Sequence, residues 1–427
     1  MGKLIKRIRK IISPYYRYLE MRFKMICYNL RRQRIISDIK GKKKVRVAFF
    51  VVNLSMWRCD SLFRLMLDHP RYEPFIVPMP RPMFNQEAEK QEQLRLIDYC
   101  IRMNYPYVPG YDYSLCRFNS YDEIKPDMVF FSQPYNDAFP AHKIEAFWKR
   151  CLFYYVPYCI LAEKSAVMTD TLYTNICQNV FLENDILKDI LSPLMTNGGS
   201  NILVTGYLSA EKLTSYEESD MEVWKNNDPG FKRIIWAPHH SILKKDILNY
   251  SLFLEMADVM LEIARKYQDT IQFAFKPHPG LKPKLYDMEG WGRQKTDDYY
   301  SAWEQMPNSV LVEGSYERLF RSSDAMIHDC SSFSVEYLLT GNPVLFLTKA
   351  DHIDYLNELG VMCFNMHYKA NSADEICMFI EESVLKGHDP MKAERDIFVK
   401  EKLMPFPIGT EAQRIIAAID SQLKSTV

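Results

Sequence analysis

Apolar residues in this chain gather in short runs separated by polar, helix-periodic stretches. Val45–Val52 (VRVAFFVV) predicts a buried strand, followed by polar Asn53-Leu54-Ser55 and a helix over Asp60–Leu67. Phe75–Val77 predicts a second strand, the segment 78–82 with its three prolines a loop, and Gln86–Arg102 an amphipathic helix. Met128–Ser132, Leu152–Val156 and Ile202–Thr205 predict further strands. Glu211–Phe231 is polar and reads as a linker, after which the alternation begins again. Ile234–Ala237, Ile271–Phe275, Val310–Val312, Ala325–Ile327 and Val344–Leu347 predict strands; Ser251–Lys266, a short stretch near Tyr316–Phe320, Phe333–Leu339, Asp351–Leu359, Ala373–Leu385 and Glu411–Leu423 predict helices. Strands alternating with helices imply parallel sheets covered on both faces, so the fold class is α/β. The expected organisation is an arm over 1–43, Rossmann-like domains over 44–225 and 226–395, and a closing helical segment over 396–427.

Charge adds an asymmetry that the apolar pattern hides. The 427 residues have a formal net charge of zero. Positions 1–46 nevertheless hold sixteen Lys/Arg and two acidic residues, a local excess of +14. The rest holds 38 Lys/Arg against 52 Asp/Glu. Within the arm, Lys3, Lys6, Arg7, Arg9 and Lys10 interleave with Leu4, Ile5, Ile8, Ile11 and Ile12, and aromatic residues follow. Such a helix suits an anionic membrane surface. Nucleic acid is the rival partner, but no recognition module accompanies the arm, and the bland alternative is an arm that is disordered or packed on a domain. Ten scattered cysteines without a C-x-x-C pair, and no secretory h-region, point to free thiols in a reducing compartment. No run of about 18 apolar residues occurs, so the expectation is a cytoplasmic protein, peripheral on the membrane's inner face.

The candidate chemistry lies where predicted strands of the second series end. Ile234–Ala237 runs into Pro238-His239-His240-Ser241, Ile271–Phe275 into Lys276-Pro277-His278-Pro279-Gly280, and Ala325–Ile327 into His328-Asp329-Cys330-Ser331-Ser332. Ligands of parallel α/β sheets sit at such carboxyl ends. Ser331 and Ser332 stand where a helix begins, which favours a phosphate, although a serine there can equally be a helix cap. Lys276 beside His278 suits a diphosphate, its bland counterpart being a solvated loop lysine. Glu336, one turn beyond Ser332, is placed to accept hydrogen bonds from a ribose, or is a plain surface glutamate. Zinc is the competing reading of the histidines, but the spacings fit no helical H-x-x-x-H pair and Lys276 would repel a cation, so no metal is expected. There is no G-x-G-x-x-G, so a dinucleotide fingerprint is absent, and no cofactor is implied.

Taken together, Trp236-Ala-Pro-His-His-Ser241, Phe275-Lys-Pro-His-Pro279 and His328-Asp-Cys-Ser-Ser-Phe-Ser-Val-Glu336 resemble the CDP-glycerol glycerophosphotransferase family of teichoic-acid primases and polymerases. The resemblance covers about residues 230–350. Lys276-Pro-His278-Pro279 matches the family's Lys-x-His-Pro motif, and Asp329-Cys330-Ser331-Ser332 with Glu336 matches its Asp-Tyr-Ser-Ser motif with Cys for Tyr and Glu for Asp. His239-His240-Ser241 stands where Thr-Trp-Arg is usual. The resemblance implies a GT-B fold: two Rossmann-like domains with a cleft between them, the first for the acceptor and the second for the nucleotide donor. It also implies that His278 assists catalysis or binds the diphosphate, and that Ser331 and Ser332 hold donor phosphate, with Lys276 and Asp329 among the residues that bind the donor's phosphates or nucleotide. Glu336 would hold the ribose or polyol, and His239 or His240 would be the base. The implied reaction transfers glycerol phosphate, or a related polyol phosphate, from a CDP-polyol to a hydroxyl of a lipid-linked or surface glycan. A GT-B glycosyltransferase using a nucleotide sugar is the alternative, and a non-catalytic membrane-associated binding protein a further one.

Overall fold

A computed structural model describes residues 2–80, 86–134, 144–164, 169–226, 228–243, 251–349 and 351–423, without the side chains of 2–15, 17 and 86–89. Part of the expected proline loop, 81–82, lies outside the described residues. The chain divides into two compact units, one of Met1–Cys159, Ser165–Leu208 and Phe406–Val427, the other of Ile160–Lys164 and Ser209–Pro405.

The first unit is built on a six-stranded parallel sheet of β1 (Val45–Val51), β2 (Tyr72–Pro78), β3 (Met128–Phe131), β4 (Leu152–Tyr155), β5 (Asn179–Leu182) and β6 (Ile202–Val204), in the order β2-β1-β3-β4-β5-β6. Both faces of its central strands are covered, which is why these strands read as near-continuous apolar runs, broken in β1 by Arg46 alone, rather than alternating ones. Phe49, Phe130, Tyr154 and Phe181 stack across four neighbouring strands, with centroids 4.7, 5.4 and 6.2 Å apart in turn. Such cross-strand pairs fix register as well as burying area. Strand β5 had no sequence expectation; three apolar residues between polar neighbours give too little periodicity to mark it.

The arm is one helix, α1 (Gly2–Lys40). Its second half is docked on the first unit through Met25, Tyr28, Ile35, Ile36 and Ile39, all buried, and Tyr28 donates to the carbonyl of Cys151 (3.2 Å). The domain-packed reading therefore holds for this half. The closing helix, α6 (Glu411–Leu423), also belongs to this unit: Gln422 donates to Asn179 (2.6 Å) and Tyr72 to Asp420.

The second unit repeats the plan with β7 (Lys232–Ala237), β8 (Ile271–Phe275), β9 (Ser309–Leu311), β10 (Ala325–His328), β11 (Val344–Leu347) and β12 (Tyr368–Ala370), all parallel, in the order β9-β8-β7-β10-β11-β12. Helix α3 (Phe253–Lys266) lays Phe253, Met256, Met260 and Ala264 on Ile234, Trp236, Phe273 and Phe275. The described residues of 211–231, a segment read as a linker, are folded here. Leu213, Asp220 and Trp224 are buried, Arg321 grips Asp220 with two nitrogens (2.6 and 2.5 Å), and Trp224 donates to Ser322 (2.9 Å). Polarity misled because the polar side chains are those making the docking bonds.

Candidate functional site

The order β9-β8-β7-β10 places the topological switch of the second sheet between β7 and β10. The connection from β7 leads outward to β8 and β9, and the chain then returns to β10 on the other side. A crevice opens at the carboxyl edge of such a point. The turns leaving β7, β8 and β10 carry the residues singled out above, and they meet here.

Three imidazoles form the centre. The rings of His239 and His240 lie 4.3 Å apart, His240 and His278 4.1 Å, and His239 and His278 5.0 Å. Gly280 underlies them: a Cβ there would come 3.3 Å from both His240 Cγ and His278 Nδ1. Its amide donates to His278 Nδ1 (2.9 Å), and the Ser241 amide donates to His239 Nδ1 (3.3 Å). A backbone N–H can only donate, so in the neutral rings of His239 and His278 the proton is on Nε2. Each therefore keeps its one ring proton on the nitrogen away from that backbone bond. His239 is buried, and burial first, then its two imidazole neighbours and Lys284, push its pKa well below the usual histidine value. His240 and His278 are half-buried, and Lys284 Nζ donates to the His240 carbonyl (2.9 Å). One ring nitrogen from each histidine lies within 4.8 Å of the others, close enough to share a metal ion. A metal on Nε2 of His239 or His278 would have to displace that proton and reverse the Nδ1 bond, whereas an anion accepts from it directly.

Lys276 supplies the charge. It is 4% exposed, and among the described residues nothing accepts a hydrogen bond or ion pair from its ammonium. Burial lowers its pKa, with Cys330, Glu313 and Glu317 pulling weakly the other way. An unpaired buried ammonium is costly and is expected where a bound anion completes it.

Asp329 is fully buried, with both oxygens taken. The His239 amide donates to Oδ1 (2.5 Å), and the Ser251 hydroxyl and Leu252 amide donate to Oδ2 (2.8 Å each). It ties the turns after β7 and β10 to the start of α3. Burial pushes its pKa up to about 6 against the pull of those bonds.

The turn after β10 departs from expectation in one respect. Its helix, α4 (Phe333–Glu336), is a single turn that tightens into a 3-10 stretch over Tyr337–Thr340. So short a helix carries little dipole, and Ser332, its N-cap residue, makes no side-chain cap bond. Ser331 instead donates to Glu163, and Ser332 lies 3.4 Å from the Cys330 sulfur. Glu336 is buried and accepts from the Tyr316 hydroxyl. His328 is the last residue of β10 and stands apart from the other three histidines, packed with Phe346 and His367. Sequence reasoning missed Glu163, Tyr316, Ser251 and Lys284, which are distant in the chain and carry no local motif. Gly280, next to Pro279, was the one visible hint.

No protein-family model matches the chain, and no curated protein matches it in sequence. Solved structures do. A variant of the wall teichoic acid polymerase TagF superposes with a TM-score of 0.59 at 12% identity, over 96% of this chain and 98% of that one. A putative UDP-N-acetylglucosamine 2-epimerase from Listeria monocytogenes gives 0.56 at 16% identity, over 90% and 98%. UDP-GlcNAc 2-epimerase from Neisseria meningitidis, bound to UDP-GlcNAc, gives 0.54 at 15% identity, over 88% and 100%. The fold is GT-B. In this GT-B chain the residues above occupy the switch point of the second Rossmann-like unit. In the first unit the corresponding switch lies between β1 and β3, where Trp57, Arg58 and Ser132 line a small pocket. Among the described residues no helix is long and apolar enough to cross a membrane, and all ten cysteines are free thiols.

Proposed function

We propose that the protein is a transferase that moves glycerol phosphate, or a related polyol phosphate, from CDP-glycerol to a hydroxyl of a lipid-linked or surface glycan. The observation that carries this reading is Lys276, buried and with no acceptor among the described residues, at a strand end two positions before His278, whose ring carries its proton on Nε2. This is an arrangement for a diphosphate. In the proposed step an acceptor oxygen attacks the β-phosphorus, and the bond from that phosphorus to the bridging oxygen breaks. CMP leaves with the electron pair, and the polyol phosphate becomes a phosphodiester. Lys276 and the Nε2–H groups of His278 and His239 neutralise the leaving diphosphate oxygens, which is where such transfers gain most. With His239 and His278 read as donors, His240 is the candidate we assign as the base that takes the acceptor proton. Ser331 and Ser332 are assigned to donor phosphate, Glu336 with Tyr316 to a ribose or polyol hydroxyl, and Asp329 to holding the three turns in register.

The arm supports a membrane-borne acceptor. On α1, Tyr16, Leu19, Phe23, Ile26 and Leu30 are exposed and spaced three and four residues apart, on a face other than the docked one. With Arg22 and Arg31 among them, this stripe suits an anionic membrane. The free thiols agree with a location on its cytoplasmic side.

The test is CMP release from CDP-glycerol with a lipid-linked acceptor mixture, for the wild type and His278→Ala, with CDP-ribitol and UDP-sugars run beside it. Release that falls at least a hundredfold in the variant is expected. Turnover of a UDP-sugar with none of either CDP-polyol would replace this reading with a nucleotide-sugar enzyme, the second reading favoured by the epimerase neighbours.

A further inference from the structure

The segment Ile160–Lys164 belongs to the second unit although the chain on both sides of it belongs to the first. It is pinned against the start of α5 (Glu358–Asn365). The Asn357 amide donates to the Ala162 carbonyl (3.0 Å), and its side chain donates to the carbonyls of Leu161 (2.7 Å) and Glu163 (3.3 Å). Lys164 N donates to Tyr355 (2.9 Å). Gly360 lets the two backbones meet: a Cβ there would sit 2.1 Å from the Ala162 oxygen. This docking delivers one functional group to the site. The Glu163 carboxylate accepts the hydroxyl proton of Ser331.

Ser331 has a single proton to donate, and a carboxylate and a phosphate both need it. Two anions cannot share that position without strong repulsion. We infer that Glu163 is an internal gate on the donor site: its carboxylate holds the Ser331 hydroxyl in the empty enzyme and must leave it before a donor phosphate binds there. The proposal rests on the diphosphate reading of this site. Its use is discrimination: a ligand with too little negative charge does not displace the carboxylate, so the polar turn stays closed to neutral sugars.

The probes are inorganic pyrophosphate, CDP and uncharged cytidine, titrated calorimetrically into the full chain. Glu163→Gln keeps the shape and a hydrogen-bonding group while removing the charge. It is expected to bind pyrophosphate and CDP about tenfold more tightly than the wild type, with cytidine unchanged. Asn357→Ala, which loosens the segment without touching the site, should shift the same affinities in the same direction. Equal or weaker pyrophosphate binding by Glu163→Gln, with the wild type binding normally, overturns the gate and leaves the transferase reading intact. Absence of pyrophosphate and CDP binding in all forms removes the anion site, and the gate and the transferase reading fall together.

Discussion

At the scale of single residues, the site rests on two buried ionisable groups with opposite duties. Lys276 is buried with no hydrogen-bond or ion-pair partner among the described residues, so its charge costs stability and, in the proposed reaction, serves binding. Lys276→Met keeps the length and removes the charge. CDP-glycerol turnover should fall by at least a hundredfold, while the melting temperature in scanning calorimetry rises by a few degrees. A folded-state lysine pKa below the unfolded one means the unfolded chain holds more protons at alkaline pH. The wild type should therefore gain on the variant as pH rises towards the unfolded value, not lose. Asp329 has no such freedom, since three donors converge on it. Asp329→Asn turns an NH2 group towards one set of donors and should cost about 2–3 kcal/mol in urea unfolding at pH 7. The sign of its pH dependence follows from a folded pKa of about 6, above the unfolded value of about 3.9. In that interval the folded state holds the extra proton, so the Asp329 contribution is largest below the interval and shrinks as pH rises through it. The stability gap between wild type and Asp329→Asn should accordingly be wider at pH 4.5 than at pH 7.

At the scale of elements, legibility followed the length and purity of the apolar runs. Ile271–Phe275 and Val344–Leu347 appear with the bounds that the sequence predicts, because each is a compact buried run closed by turn residues. Strand β12 has no such contrast and was not foreseen, and the helical stretch over Lys392–Leu403 begins before the closing segment expected from 396. The three turns of the site were legible as well, since parallel sheets put chemistry at strand ends. Their internal wiring was not. That Asp329 is spent on the backbone of His239, or that Ser331 meets Glu163 across 168 positions, is settled by tertiary packing. The short α4 shows the limit from the other side. Phe333–Leu339 has helical apolar spacing, yet the helix tightens into a 3-10 stretch after one turn, so it offers the turn little of a helix N-terminus.

At the scale of the whole molecule, the zero net charge conceals a division of labour between arm and body. The second half of α1 is part of the first unit's core, while the stripe from Tyr16 to Leu30 faces outward. These halves make different predictions. Removing residues 1–24 leaves Met25, Tyr28, Ile35 and Ile39 in place, so the fold and CMP release with a soluble acceptor should survive. The same cut deletes eight Lys/Arg and one acidic residue, leaving a chain of formal charge −7. Such a chain is repelled by an anionic surface as well as stripped of Tyr16, Leu19 and Phe23. Sedimentation with vesicles containing phosphatidylglycerol should bind the full chain in low salt, weaken at high salt, and retain less than a tenth as much of the truncated form. Removing residues 1–40 instead takes away Tyr28, a fully buried aromatic worth about 3–5 kcal/mol by itself, and should unfold the first unit. If the shorter truncation still sediments fully with the vesicles, the stripe is not the membrane contact. Binding that persists at high salt would assign the attraction to apolar insertion rather than charge.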